Sequence, residues 1–214
     1  DYWIEQIKQK MPWVNWIGVS KEKKEQTYNE PISILNSLGV EKKIPLYNFL
    51  GSNLELSNTP YFPHVSFDEF KYIKADVPFH EKWNLNKCIQ RDSKRESLIF
   101  NKYVKKENYV VTHLKASIHT ADFDKSLIPG NFQVIEIDNY GFVLDWLKVI
   151  EKAKMIFMTN SVMANITEQL NIGKCRHYIP RTNVFINPTF INNWIWLKNK
   201  NLDPKTNLTG IKFK

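Results

Sequence analysis

The chain has 214 residues, a hydrophobic content of 43% and a formal net charge of +8, which suits one α/β domain or one domain with a small partial one. Only seven residues are glycine, and neither GxGxxG nor a Walker-type GxxxxGK motif occurs, which argues against a glycine-rich phosphate loop. No apolar run approaches the roughly 20 residues that span a bilayer, and the two cysteines form no CxxC pattern. We therefore expect a cytoplasmic protein without a membrane span, a zinc site or a disulfide framework.

The positive charge favours anionic partners such as nucleotides, nucleic acid or acidic lipid. The plain alternative is a solvated, lysine-rich surface, because the lysines are spread along the chain and not clustered. Charge alone therefore indicates no single partner.

The first 80 residues predict a small α/β part with about two strands. Further along, the periodicity of apolar residues predicts helices over 67–74 and 91–103. Residues 109–112 form the best single strand candidate, which ends at His113, and a polar, loop-like segment then continues to Pro129. We divide the chain into this small N-terminal part (1–80), a central α/β domain (81–200) and a basic tail (201–214).

The chain is organised around the stretch from Gln133 to Pro180, which alternates strand, helix, strand, helix and strand. The predicted strands and helices are, in order, 134–138, 144–153, 155–159, 162–170 and 174–179. Tight connections of this kind are typical of a parallel sheet with crossover helices. The sequence therefore predicts an α/β fold with a Rossmann-like parallel sheet flanked by helices.

Ligands of such sheets bind outside the carboxyl ends of the strands. This rule places a row of polar residues along one rim: His113, Asp138, Asn139, Tyr140, Thr159, Asn160 and Ser161. The rim is the predicted ligand site.

Asn160 and Ser161 directly precede the second predicted helix, whose first-turn N–H groups form a natural anion site. A pyrophosphate fits there, although either residue alone also makes an ordinary helix N-cap. His113 is a candidate general base or phosphate ligand, and the alternative is a loop histidine bonded to the backbone.

Other polar residues have the same two-sided interpretation. Lys115 neutralises a diphosphate or is a plain surface lysine, and Arg181 is a candidate phosphate clamp. Asp138 accepts a sugar hydroxyl or caps the turn that follows it. Asp122 and Asp124 match the DxD motif of metal-dependent glycosyltransferases, but they do not end an apolar strand, so we predict no metal site.

Several segments, taken together, carry a resemblance to a known family. They are 75–83 (ADVPFHEKW), 110–114 (VVTHL), 144–156, 159–162 (TNSV), 178–181 (YIPR) and Trp194. In order and spacing they resemble the C-terminal half of GT-B-type glycosyltransferases, and more narrowly a glycosyltransferase-like group of marine bacteria, phages and large viruses.

This resemblance implies that residues 81–200 are a Rossmann-like nucleotide-sugar-binding domain. It also implies transfer of a sugar from the nucleotide-sugar donor to a glycan acceptor, without a protein-bound metal. It implies no cofactor beyond the nucleotide-sugar, which is a substrate, and it makes the N-terminal part the other wall of a cleft. Three acidic positions of the family pattern are replaced: an acidic pair by Leu114–Lys115, and an aspartate by Thr159. A non-catalytic nucleotide- or carbohydrate-binding relative is therefore an alternative, and a basic nucleic-acid-binding protein is another.

Overall fold

The computed structural model describes residues 65–75, 77–116, 119–138, 141–181 and 188–202. The chain divides into two compact units, Asp1–Glu81 and Lys82–Lys214. The strands and helices predicted before residue 65, and nearly all of the predicted basic tail, lie outside the described residues. The predicted domain boundaries therefore stay predictions.

In the first unit, helix α1 (Phe67–Ala75) confirms the helix predicted over 67–74. It begins after Ser66, whose hydroxyl accepts the Glu69 N–H at 3.3 Å and so serves as its N-cap. A 3-10 helix over Phe79–Lys87 then leads into the second unit.

The second unit contains a five-stranded sheet in which every pairing is parallel. Its strands are β1 (Tyr109–His113), β4 (Gln133–Glu136), β5 (Met155–Thr159), β6 (Arg176–Ile179) and β7 (Trp194–Trp196). The spatial order is β4-β1-β5-β6-β7. Two further strands of the described ranges, β2 (Lys115–Ala116) and β3 (His119–Thr120), form a separate antiparallel pair.

The described residues of this unit form three α-helices: α2 (Ser93–Tyr103), α3 (Leu147–Lys152) and α4 (Val162–Gln169). Shorter 3-10 turns cover Lys125–Leu127 and Val143–Trp146, and the second of these continues into α3. The predicted fold class, an α/β protein with a Rossmann-like parallel sheet flanked by helices, is confirmed.

Successive residues of a strand point to opposite faces of the sheet, so the two faces can be separated. On one face, the Tyr109 hydroxyl donates to Val149 O of α3 at 2.9 Å. The opposite face carries a core of Val110, Phe157 and Ile179, against which the segments around Phe123 and Leu197 pack. Helices therefore cover the first face, whereas irregular chain covers much of the second.

The structure corrects one prediction and adds one strand that the sequence did not predict. The segment from His113 to Pro129 is not simply a loop, because it contains the β2–β3 pair and a 3-10 turn. Strand β7 was not predicted at all. It has only three residues, too few for a periodic pattern, and its pairing with β6 defines it.

A buried carboxylate ties two distant segments to α4, one around Trp83 and one over residues 191–194. Glu168 is fully buried, and its side chain accepts hydrogen bonds from the indole N–H groups of Trp83 and Trp194 at 2.9 and 2.8 Å. It also accepts the backbone N–H groups of Ile191 and Asn192 at 2.7 and 3.1 Å. Trp83 and Trp194, which both lie in the segments that carry the family resemblance, thus donate to the same side chain, that of Glu168.

Two arginine–carboxylate pairs hold α2 in place. Arg95 binds the buried carboxylate of Asp145 through two hydrogen bonds of 2.9 and 2.8 Å. Arg91 binds Glu96 in the same two-pronged way at 2.8 and 2.6 Å and also reaches Glu151 at 2.9 Å. Paired geometry of this kind is what allows charged groups to be buried near the core.

We expect Glu168→Gln to lower the free energy of unfolding by about 2 kcal/mol or more. The amide nitrogen of glutamine cannot accept a hydrogen bond, so at least one of the four N–H donors loses its partner. Urea unfolding followed by tryptophan fluorescence measures the loss. Glu107→Gln is the matched control, because Glu107 is 92% exposed and its substitution leaves the unfolding midpoint unchanged.

Glu168 also makes the free energy of unfolding depend on pH. Burial alone raises the pKa of Glu168, but its four hydrogen bonds together lower the pKa by more than burial raises it. The pKa therefore lies below its ordinary value of 4.5. The carboxylate therefore contributes stability above about pH 4.5, which is lost as the pH falls through the lower folded-state pKa. A wild-type advantage over Glu168→Gln that stays constant down to the acid transition would contradict this role.

Candidate functional site

The candidate site lies where the direction of the strand connections reverses. The chain leaves β1 toward β4 on one side, whereas it leaves β5 toward β6 on the other. Open parallel sheets bind their ligands in the crevice at such a point, outside the carboxyl ends of the strands. Here that point lies between the ends of β1 and β5, which are His113 and Thr159.

The two strand ends meet through a side-chain contact. His113 Nδ1 lies 3.0 Å from Ser161 Oγ, although 48 residues separate them in the chain. Ser161 is the N-cap of α4, and its Oγ accepts the Ala164 N–H at 3.3 Å. The structure therefore brings the predicted histidine and the predicted helix cap into one hydrogen-bonded group.

The backbone of Ser161 is extended, with φ −156° and ψ 168°. A serine nucleophile of the α/β-hydrolase type sits instead on a sharp, strained turn. Among the described residues no carboxylate is hydrogen-bonded to His113, so the third member of a catalytic triad is missing there. The pair is suited to binding an anion or moving a proton rather than to forming an acyl-enzyme.

Two buried polar atoms at the same edge of the sheet have no hydrogen-bond partner among the described residues. They are Oγ1 of Thr159, at the end of β5, and Nε of Arg181, two residues after β6. Buried polar atoms are nearly always paired, so each such exception calls for an explanation. A bound ligand or water at this edge would supply one.

The other predicted site residues are placed differently. Asp138 lies beyond β4 at the correct edge, but its Oδ2 accepts the Tyr103 hydroxyl at 2.7 Å. Lys115 lies on β2 and pairs with Glu136 at 3.6 Å, away from the contact between His113 and Ser161. Asn160 follows β5 and is half-buried. Asn139 and Tyr140 lie outside the described residues.

The two aspartates of the DxD match have separate structural roles. Asp124 caps a 3-10 turn by accepting the Ser126 N–H at 3.1 Å. Asp122 pairs with Lys125 at 3.5 Å. Across the described part of the chain, no group of three or more His, Cys, Asp or Glu side chains is arranged to hold a metal ion.

A groove of about 870 Å³ lies beside this site and was missed by the sequence analysis. It is bounded by β1, β4 and the segment between them, and Thr112, Leu114 and Glu136 are among its lining residues. The sequence had singled out Lys115 and Asp122, which both line the groove, but for other roles, and the row of strand ends did not include Glu136. The tertiary packing of the connection from β1 to β4 decides which of its side chains line the groove, and short-range sequence patterns do not reveal that packing.

Burial controls the charge of His113. It lowers the pKa of the imidazole below its ordinary value, and the negative charge of Glu136 partly opposes this shift. The histidine is therefore neutral at pH 7 and able to accept a proton. His177, by contrast, is buried in the sheet, where its ring stacks on Phe157 with centroids 4.3 Å apart.

Comparison of the chain with protein-family models, curated proteins and solved structures gives no significant match. None of the helices in the described ranges has the length and apolar character needed to cross a bilayer.

We expect Glu136→Gln to lower the pKa of His113 further. Removing the carboxylate charge takes away the interaction that favours the imidazolium form. Titration of the histidine ring protons by NMR measures the shift, with His113→Gln used for assignment. His177 is an internal control, because Glu136 is not among the groups that shift its pKa. An unchanged His113 midpoint, or equal shifts of both histidines, would refute the coupling.

Proposed function

We propose that the unit Lys82–Lys214 binds the diphosphate of a nucleotide-sugar at the carboxyl ends of β1, β5 and β6, and that the protein transfers the sugar to a glycan acceptor. The observation that carries this proposal is the contact between His113 and Ser161 at the point where the strand connections reverse. The sequence resemblance to GT-B-type enzymes agrees with it.

The proposed site offers three kinds of group to a diphosphate. The first turn of α4 has N–H groups without intrahelical partners, and they carry the positive end of the helix dipole. Arg181 adds a guanidinium whose buried Nε has no described partner. Ser161 adds a hydroxyl. A phosphate at this edge would therefore meet hydrogen-bond donors from the segment after β5, which holds Ser161 and α4, and from the segment after β6, which holds Arg181.

In the proposed transfer, an acceptor hydroxyl oxygen attacks the anomeric carbon of the donor sugar. A new carbon–oxygen bond forms as the bond from that carbon to the diphosphate breaks, and the diphosphate leaves with the electron pair. The acceptor proton passes to His113, which is neutral at pH 7. Arg181 and the α4 N-terminus stabilise the charge that develops on the leaving group.

The roles of Asp122 and Asp124 support a reaction without a metal held by these carboxylates. One is ion-paired and the other caps a turn, so neither is set up as one of a pair of metal ligands. The leaving group would instead be stabilised by the helix and the arginine.

A nucleic-acid-binding role is less well supported. Binding of single strands uses exposed aromatic side chains as stacking platforms. No aromatic side chain whose burial the structure describes is exposed; each is buried or half-buried. The positive charge is therefore better explained by a small anionic ligand or by an ordinary lysine-rich surface.

Calorimetry with UDP, GDP, CDP and their sugar conjugates tests the proposal on the full chain. We expect at least one to bind, and Ser161→Ala to weaken that binding by about tenfold, because the hydroxyl is lost and the helix end is no longer capped. Asp92→Ala is the matched control, since Asp92 caps α2 away from the site. It is expected to cost similar stability and leave nucleotide affinity unchanged.

Release of free nucleotide from the bound conjugate then separates an enzyme from a binding protein. Turnover that is lost in His113→Gln supports transfer, whereas binding without turnover supports the non-catalytic alternative. A well-folded protein that binds none of these nucleotides, or one in which Asp92→Ala weakens binding as much as Ser161→Ala, would exclude the proposed site.

A further inference from the structure

The described residues leave one face of the sheet partly uncovered near β4. In parallel sheets a crossover helix normally covers each face. The described part of the connection from β1 to β4 contains no α-helix, only the β2–β3 pair and one 3-10 turn. Val134 of β4 is consequently 52% exposed. The groove of about 870 Å³ occupies the space where a helix would otherwise pack.

The connection that forms this groove is held firmly by chain after β7. Asn199 is 3% exposed, and its side chain accepts the Asp122 N–H at 3.0 Å and donates to Pro180 O at 2.9 Å. Asn201 donates through its side chain to Thr120 O at 2.9 Å. The groove is thus built from anchored segments and does not require a ligand to form.

The chemistry of the groove differs from that of the diphosphate site. Its apolar surface comes from Ile128, Phe132 and Val134, among others. Its charged groups are two cations and two anions, Lys115, Lys125, Asp122 and Glu136, which form pairs at 3.6 and 3.5 Å. These pairs are solvent-exposed and therefore worth little, so each group can exchange its partner for a ligand at low cost.

Formal charges that sum to zero disfavour a second polyphosphate but suit an uncharged polyol. Sugar hydroxyls can donate to Asp122 and Glu136 and accept from Lys115 and Lys125. The apolar carbon face of a sugar ring can lie on Phe132, as ligands lie on the aromatic walls of other pockets. A neutral sugar would therefore use both the charged groups and the apolar surface of the groove.

We propose that this groove binds the glycan acceptor as a neutral oligosaccharide, an inference that rests on the transfer reaction proposed above. The groove adjoins the proposed reaction centre, because Thr112 and Leu114, the chain neighbours of His113, both line it. The imidazole itself lies on the Ser161 side of β1. An acceptor bound in the groove must therefore extend over the end of β1 to reach His113. A chain of several sugars is long enough to do this more readily than a single sugar.

Gly130 provides a direct test. It lines the groove, and a Cβ added there meets no atom within 4 Å, so a side chain can be introduced at the groove wall without a clash at its first carbon. An array of neutral oligosaccharides is probed with the 214-residue wild type, Gly130→Trp and Gly130→Ala. We expect binding by the wild type and Gly130→Ala, and a loss of about tenfold or more in Gly130→Trp.

Glu136→Gln and Glu107→Gln form a second pair of variants, which keeps the test valid if Gly130→Trp fails to fold. The groove variant Glu136→Gln is expected to weaken glycan binding several-fold through the loss of a charged hydrogen bond, whereas the exposed Glu107→Gln is not. Unchanged glycan binding in both groove variants, or no neutral glycan bound by the wild type, overturns the proposal.

Nucleotide binding by the same variants separates this inference from the proposed function. If UDP, GDP or CDP binds equally well to the wild type and Gly130→Trp while no glycan binds, only the acceptor groove is overturned. If glycans bind at the groove and no nucleotide binds, the carbohydrate site is supported and its role as an acceptor site in sugar transfer is overturned.

Discussion

The parallel pairing of β1 with β5 is the constraint on which the candidate site depends. Parallel neighbours need crossover connections, and here the connections from these two strands run in opposite directions, which leaves a crevice at their carboxyl ends. The chemistry follows from this geometry. His113 ends one strand, Ser161 caps the helix after the other, and their side chains lie 3.0 Å apart.

Buried carboxylates fix the elements around this crevice. Glu168 on α4 is held by four neutral N–H donors, whereas Asp145 and Glu96 are held by arginines. Because α4 carries Ser161 at one end and Glu168 near the other, the network that anchors the far end of the helix also supports the candidate site. No ion pair to Glu168 is found within the described part of the chain, so the carboxylate depends on every one of its donors.

Much of the fold could be predicted from the sequence, because β5 is a continuous apolar run and α2 and α4 combine apolar periodicity with clear N-caps. The row of strand ends also identified His113, Thr159 and Ser161 correctly as neighbours at one edge. Short-range patterns could not predict β7, which is defined by its partner strand, or the groove, which depends on how an irregular crossover packs. For the same reason, the contact of Lys115 with Glu136 had no signature in the sequence.

The central claim is that one edge of the sheet receives a diphosphate, and a crystal structure of the full chain with a bound nucleoside diphosphate tests it most directly. The account predicts phosphate oxygens within hydrogen-bonding distance of Ser161 and the first-turn N–H groups of α4, with Arg181 directed at the same group. A diphosphate bound elsewhere, with the ends of β1 and β5 occupied by water alone, would contradict it.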